Sequence, residues 1–226
     1  MNRAVFVLAL LITLPSQALQ VSVSPTETLE IAERSAVVKI DGKLDEAVWA
    51  SLDQYDEFVV IEPDTLVKPA HATWVSLFYN QLGLYVGVQV EQPPETRIAR
   101  LSSRDNRQIK RDSVGMVLDT SGEGRYGYWF GINLGDAQMD GTLLPEKQFT
   151  SDWDGAWEGA TSETQTGWTA EMFIPWGVVS MPKQAGARRI GLYMERFVAY
   201  KDERWSWPAL PDTVPQFISA LQSVSV

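Results

Sequence analysis

Apolar and polar residues alternate with a period of two along most of this chain, in short runs separated by Gly, Asn, Asp and Pro. That period puts successive side chains on opposite faces of an extended segment, so each run predicts a strand with one buried face. The run around which the others are organised spans residues 112–129 and continues on one face to Ile132. Val114, Met116 and Leu118 share one face, and Tyr126, Tyr128, Phe130 and Ile132 share another across a Gly-rich turn at residues 120–124. This spacing on both sides of a Gly/Ser/Asp cluster predicts a hairpin. Asp112 enters the hairpin and Asp119 stands at its turn, which suits either a site at the strand ends or ordinary turn chemistry.

Other runs repeat the theme. Residues 73–79 and 84–90 alternate on either side of Asn80-Gln-Leu-Gly83, a four-residue hairpin loop. Residues 157–164 and 168–174 pair across Gln165-Thr-Gly167, and residues 190–198 and 203–207 give two later strands. One stretch alone predicts helix: Asp45 stands as N-cap of a short helix near residues 45–53, with Leu44 and Trp49 at the spacing of a hydrophobic staple. Trp49 is therefore expected in the core. Residues 98–111 carry five Arg or Lys among fourteen positions and show no apolar face. About nine or ten mostly antiparallel strands with almost no helix predict an all-β fold, a β-sandwich, over residues 37–210. A leader, residues 19–36, precedes it, and within it residues 19–30 read either as leader or as a first edge strand. A mildly apolar tail, residues 211–226, follows and leaves open whether a longer C-terminal region begins there.

The first 18 residues read differently. Arg3, an apolar run too short to span a bilayer and Ser16-Gln-Ala18 form the pattern of a cleaved secretory signal. The expectation is an exported chain, periplasmic or associated with an outer membrane, with no transmembrane helix in its mature part. The chain has no cysteine, which excludes thiol nucleophiles and thiolate metal sites. A formal net charge of −10 disfavours nucleic acid as a partner, since binding it needs a basic footprint. Nine Trp and seven Tyr supply either a heavy core or stacking platforms for sugar rings.

Candidate chemistry is sparse. Asp152 and Asp154 stand one residue apart beside Gly155, half of a calcium-loop pattern, with an Asx turn as the alternative. Arg111, Trp153, Trp157, Glu195, Arg196 and Trp205 would make an aromatic and guanidinium wall for a ligand if exposed together. The alternative buries Arg196 beside Glu195 or Glu171 and packs the Trp rings inside the sandwich. His71 is the single histidine, and no nucleophile elbow accompanies it, so no catalytic residue is assigned. Met116 with His71 would be a conceivable haem pair, but an inward Met is ordinarily core packing.

Five segments, taken in order, resemble a known family. Ile40-Asp-Gly-Lys-Leu-Asp-Glu-Ala-Val-Trp49, Leu84-Tyr-Val-Gly-Val88, Arg111-Asp-Ser-Val114, Leu118-Asp119 and Gly167-Trp-Thr-Ala-Glu-Met-Phe-Ile-Pro175 are similar to carbohydrate-binding module family 9. The likeness is greatest to a branch at the N-terminus of bacterial outer-membrane proteins of unknown function, to which Asp140-Gly141 and residues 151–158 also correspond. The resemblance implies a β-sandwich whose sugar-binding members hold chain-end sugars between two Trp and are associated with structural calcium. The matching positions here carry other residues. Ile109 stands for a stacking Trp, Gly115 for a Glu, Gly131 for an Arg and Glu195 for a Gln, and no Trp follows Trp207.

The expected function is a non-catalytic binding module of the cell envelope, directed at a glycan but with the usual sugar-stacking site degenerate. Two alternatives stand beside it: an interaction or structural domain docking on an outer-membrane barrel, and a domain of a protein that hydrolyses O-glycosyl compounds in carbohydrate catabolism. No cofactor is expected, with calcium as the one possible exception.

Overall fold

The structure, a computed structural model, describes residues 27–183, 186–211 and 213–226; the expected signal peptide lies outside them. Seven strands take the chain to its middle: β1 (Leu29–Glu30), β2 (Ala32–Glu33), β3 (Val59–Glu62), β4 (Thr73–Tyr79), β5 (Gly83–Glu91), β6 (Ser113–Asp119) and β7 (Gly127–Asn133). Seven more complete it: β8 (Gln138–Leu144), β9 (Gln148–Thr150), β10 (Glu158–Glu163), β11 (Gly167–Pro175), β12 (Arg189–Val198), β13 (Glu203–Trp207) and β14 (Gln222–Ser225).

They form two sheets, one of five strands in the order β10-β11-β5-β4-β2 and one of nine built on β1-β14-β12-β6-β7-β8-β9. The long strand β12 is shared along one edge: its first half pairs β14 and its second half pairs β13, which in turn pairs β3. The three expected hairpins are β4–β5, β6–β7 and β10–β11. β1 and β2 add to the two sheets as short parallel strands, and β14 lies in what the sequence presents only as a tail. No helix among the described residues is long and apolar enough to cross a membrane.

The period-2 pattern decides which faces meet. Val114, Met116 and Leu118 of β6, Tyr128, Phe130 and Ile132 of β7 and Leu84, Val86, Val88 and Val90 of β5 point into the space between the sheets. Trp168, Met172 and Ile174 of β11 complete that core. At roughly 25 cal/mol per Å² of apolar surface removed from water, this layer is the main stabilising term of the fold.

The two acidic residues of the central hairpin are structural. Asp119 holds the turn, its carboxylate accepting the amides of Ser121, Gly122 and Gly124 at 3.0, 3.1 and 2.7 Å. Asp112 is fully buried and accepts Gln92 Nε2, Ile98 N and Ala199 N at 2.8, 2.7 and 2.8 Å.

Outside the five-stranded sheet, the expected helix is a single 3-10 turn, Trp49–Ser51, whose N-cap position is Val48 with no side-chain cap. Asp45 is therefore not the cap; Trp49, though, is buried as expected, against Phe78. Its indole Nε1–H donates to Glu171 at 3.0 Å, and the same carboxylate accepts the amides of Asp41 and Gly42, both at 2.9 Å. Full burial pushes the Glu171 carboxyl up to about 7 from an ordinary 4.5, the three donors only partly offsetting the loss of water. The folded state then binds more protons than the unfolded one between those values. Its contribution, on the order of 3 kcal/mol, is fully present below about pH 4.5 and is lost as pH rises through 7. Urea unfolding of the wild type from pH 4.5 to 7.5 should show this decline, and Glu171→Gln should flatten it. Equal slopes for the two proteins would refute the assignment.

Candidate functional site

The outer face of the nine-stranded sheet carries a groove, and the register of four strands builds it. Glu195 of β12, Gly115 of β6, Gly131 of β7 and Met139 of β8 stand side by side as one rung across the sheet. The neighbouring rung holds Tyr193, Val117, Trp129 and Gly141. Because Gly131 has no side chain, the Trp129 indole lies across it; a Cβ there would come within 2.6 Å of the ring. Gly115 gives the same room to Glu195, whose Oε1 would be 3.1 Å from a Cβ at that position. Two glycines in a rung thus let a large aromatic and a carboxylate lie down over the sheet and meet.

They are joined by hydrogen bonds. Trp129 Nε1–H donates to Glu195 Oε1 at 3.0 Å, and Arg204 of β13 donates through Nη1 to Glu195 Oε2 and through Nε to Glu62 Oε2, both at 3.2 Å. The paired carboxylates raise the Arg204 guanidinium further above its already high range. Arg107 completes the frame: its guanidinium carbon lies 3.9 Å from the centre of the Phe149 ring and 5.2 Å from that of Trp129, a cation–π arrangement.

Around this frame are two adjoining hollows of about 240 and 200 Å³, both lined by Arg107, Trp129, Glu195 and Arg204 and so forming one groove. The wall of the first is the basic crossing, residues 106–111. The second is closed by Phe149, Tyr193 and Phe217. Phe217 arrives there because residues 213–221 fold back over the outer face, and Leu210, Phe217, Ile218 and Leu221 are buried with Val117, Leu143 and Tyr193.

The residues proposed from sequence are divided by this geometry. Glu195 and Arg111 line the groove, as does Ile109. Trp157 and Trp205 are buried, and Trp153 packs half-buried against Tyr128 and Phe130, so these rings do not form one wall. Arg196 is wholly buried, but beside neither Glu195 nor Glu171. It donates to Ala72 O, Thr73 Oγ1, Glu91 O and Gln92 Oε1 and lies 4.7 Å from the Trp205 ring centre. Burial lowers its guanidinium to about 10, so it remains charged at neutral pH. His71 is hydrogen-bonded to the Tyr200 hydroxyl at 2.7 Å, and Met116 is core.

The calcium expectation meets a different arrangement. Asp154 gathers with Asp105 and Asp140, their nearest oxygens within 4.8 Å of one another, while Asp152 stays outside the group. Arg104 sits among the three carboxylates, hydrogen-bonded to Asp140 and, at 2.9 Å, to Asp154. The cluster therefore carries its own cation, and calcium would have to displace a guanidinium to enter. These residues do not fit an open calcium cage.

Sequence reasoning missed Trp129, Arg107, Arg204, Phe149 and Phe217. One signal was available: Trp129 falls between the inward Tyr128 and Phe130, hence outward, and is flanked at two residues by Gly127 and Gly131.

The fold and groove define a class, a two-sheet β-sandwich presenting an aromatic and charged groove on the outside of its larger sheet. No family model matches the sequence, and no curated protein matches it. Its fold is that of the carbohydrate-binding modules of family 9. It is similar to a family 9 module from Caldicellulosiruptor kristjanssonii solved with cellotriose, with 15% identity, 88% of this chain and 92% of that one covered, and a TM-score of 0.59. The complex of a family 9 module from that organism with glucose gives 15% identity, 88% and 94% coverage and a TM-score of 0.62. A Bacteroides uniformis protein described as a candidate carbohydrate-binding protein gives 13% identity, 88% and 99% coverage and a TM-score of 0.65.

Proposed function

We propose that this protein is a non-catalytic glycan-binding module of the cell envelope, and that the groove around Trp129 is its binding site. The observation that carries the reading is the half-buried Trp129 indole, lying over Gly131 and fixed at its Nε1 by Glu195, beside a polar set able to bond hydroxyls. An aromatic face rimmed by charged and polar groups suits a sugar ring, whose faces are apolar and whose edge is hydroxylated. The likeness to modules solved with glucose and cellotriose supports the same direction.

The family's own contact positions are degenerate here, and the site is rebuilt from other residues. Ile109 replaces a stacking Trp, while Gly115 and Gly131 replace charged partners and in doing so admit Glu195 and Trp129. Both groove carboxylates, Glu62 and Glu195, are engaged by Arg204, an arrangement suited to holding a ligand. Arg3, the short apolar run after it and Ser16-Gln-Ala18 support export, and export would bring the module to where envelope glycans are met.

The test is to follow the indole N–H resonances during titration with a panel of envelope and plant oligosaccharides, assigning Trp129 by Trp129→Phe. The Trp129 resonance should shift saturably while those of the core residues Trp168 and Trp205 stay. A panel that moves no indole signal would sink the proposal.

A further inference from the structure

We infer that the groove selects an acidic glycan, one whose uronic-acid carboxylate is held by Arg107 and Arg111. This deepens the reading just given and rests on it.

Two guanidinium groups of the groove lack a charged partner. Arg111 lies in the wall of the first hollow and is only 3% exposed. Its Nη2 donates to the backbone oxygen of Asn106 at 2.7 Å and touches the Met139 sulfur at 3.7 Å, while its buried Nη1 has no hydrogen-bond partner. No carboxylate neutralises it, and burial alone lowers its affinity for the proton. A buried guanidinium ordinarily has a counter-ion, because removing a charge from water costs several kcal/mol that pairing offsets.

Arg107 is the second such group. Both its close contacts are ring faces, Phe149 and Trp129, and it makes no hydrogen bond or ion pair among the described residues. The other cations of the hollow are engaged: Lys110 with Asp202 at 2.8 Å, and Arg204 with Glu62 and Glu195. Four cationic side chains thus face two carboxylates in the first hollow, and the surplus sits on Arg107 and Arg111. This is local positive charge on a protein whose formal net charge is −10. A structural ion pair would have left no such surplus; an anion that arrives with the ligand accounts for it.

The geometry also names the anion's class. Guanidinium planes match a carboxylate through paired N–H donors. The hollow is continuous with the Trp129 face, so a ligand should carry its carboxylate on a sugar ring that reaches the indole. A uronic acid meets both requirements. Inorganic phosphate meets only the first.

The experiment compares calorimetric titrations of the full chain with trigalacturonate, cellotriose and inorganic phosphate. Trigalacturonate should bind at least about tenfold more tightly than cellotriose, the difference expected of one charge-assisted hydrogen bond. Arg107→Gln, exposed and therefore safe for the fold, should remove most of that preference. Arg111→Met should remove it too while raising the melting temperature, because it exchanges an unpaired buried charge for an apolar side chain of similar length; a merely structural arginine would destabilise when replaced. Equal binding of the two trisaccharides, or a preference that survives both substitutions, would overturn the inference and leave the glycan reading standing. Phosphate binding as tightly as trigalacturonate would show an anion site with no sugar selectivity and overturn it as well. Binding of none of the three would overturn this inference, and the indole titration separately decides the broader reading.

Discussion

Replacing Asp112 by Ala should lower the stability of the fold by about 4 kcal/mol, close to the limit for a single substitution. The Asp112 carboxylate is fully buried and is the acceptor for Gln92 Nε2, Ile98 N and Ala199 N. Gln92 in turn accepts Arg196 Nη2 at 3.1 Å and the Trp168 indole at 3.3 Å. One side chain thus fixes the loop before β6, the turn after β12 and the orientation of the glutamine between the sheets. Its removal leaves the buried amide of Ala199 and the half-buried amide of Ile98 without their acceptor, at a cost of about 1–3 kcal/mol for each N–H that water does not reach. It also deprives the buried Arg196 of its main attractive charge. At roughly 2–4 °C per kcal/mol for a domain of this size, the melting temperature should fall by about 10 °C. Asp112→Asn keeps one acceptor oxygen and should lose about half as much. A thermal melt of Asp112→Ala within 3 °C of wild type, on the order of a 1 kcal/mol effect, would show that the network does not hold the sheets in this way.

The second large effect concerns binding. Trp129→Ala removes the only indole lining the groove and should weaken glycan binding by about 2 kcal/mol or more, at least about 30-fold. Gly131→Ala should reproduce that loss with the tryptophan still present. A methyl group at residue 131 would meet Cη2 of the ring at 2.6 Å and Cζ2 at 2.8 Å, so the indole must leave the sheet surface and give up its bond to Glu195. The ring is half-exposed and can swing outward, so the cost in stability should stay within about 1 kcal/mol. Calorimetry on a bound oligosaccharide, with circular dichroism as the fold control, separates the two outcomes. If Gly131→Ala bound as wild type does, the flat indole would not be the sugar platform.

These two residues show how unevenly the molecule was written into its sequence. The hairpins were legible because each has one buried face, and a period of two then forces Val114, Met116 and Leu118 inward whatever their partners are. Neither the pairing of the tail with β12 nor the joining of β1 and β2 to separate sheets was legible, since strands of two to four residues carry too little pattern. The same alternation that placed Met116 inside also placed Arg196 inside, between Met194 and Val198. The sequence left Arg196 either exposed or buried beside Glu195 or Glu171; the register decided for burial, and four acceptors from β4, β5 and their flanks made it tolerable.

The groove lay further still from what a linear reading gives. The amino-acid sequence by itself determined the class of fold, the inward faces of β5, β6, β7 and β11 and an outward Trp129 between two glycines; it did not mark β8, whose residues 138–141 read as loop. Its resemblance to family 9 implies that the family's usual contact positions hold Ile109, Gly115 and Gly131. What those glycines are for was decided only in three dimensions, where cross-strand register lays Trp129 and Glu195 over them. The basic crossing of residues 98–111 has no period because it belongs to no strand, and it became a wall only when folded against β12 and β13. Likewise an unpaired guanidinium such as Arg111 cannot be read from a chain with 29 acidic residues: which charges lack partners is a property of distances, and distances exist only in the folded protein.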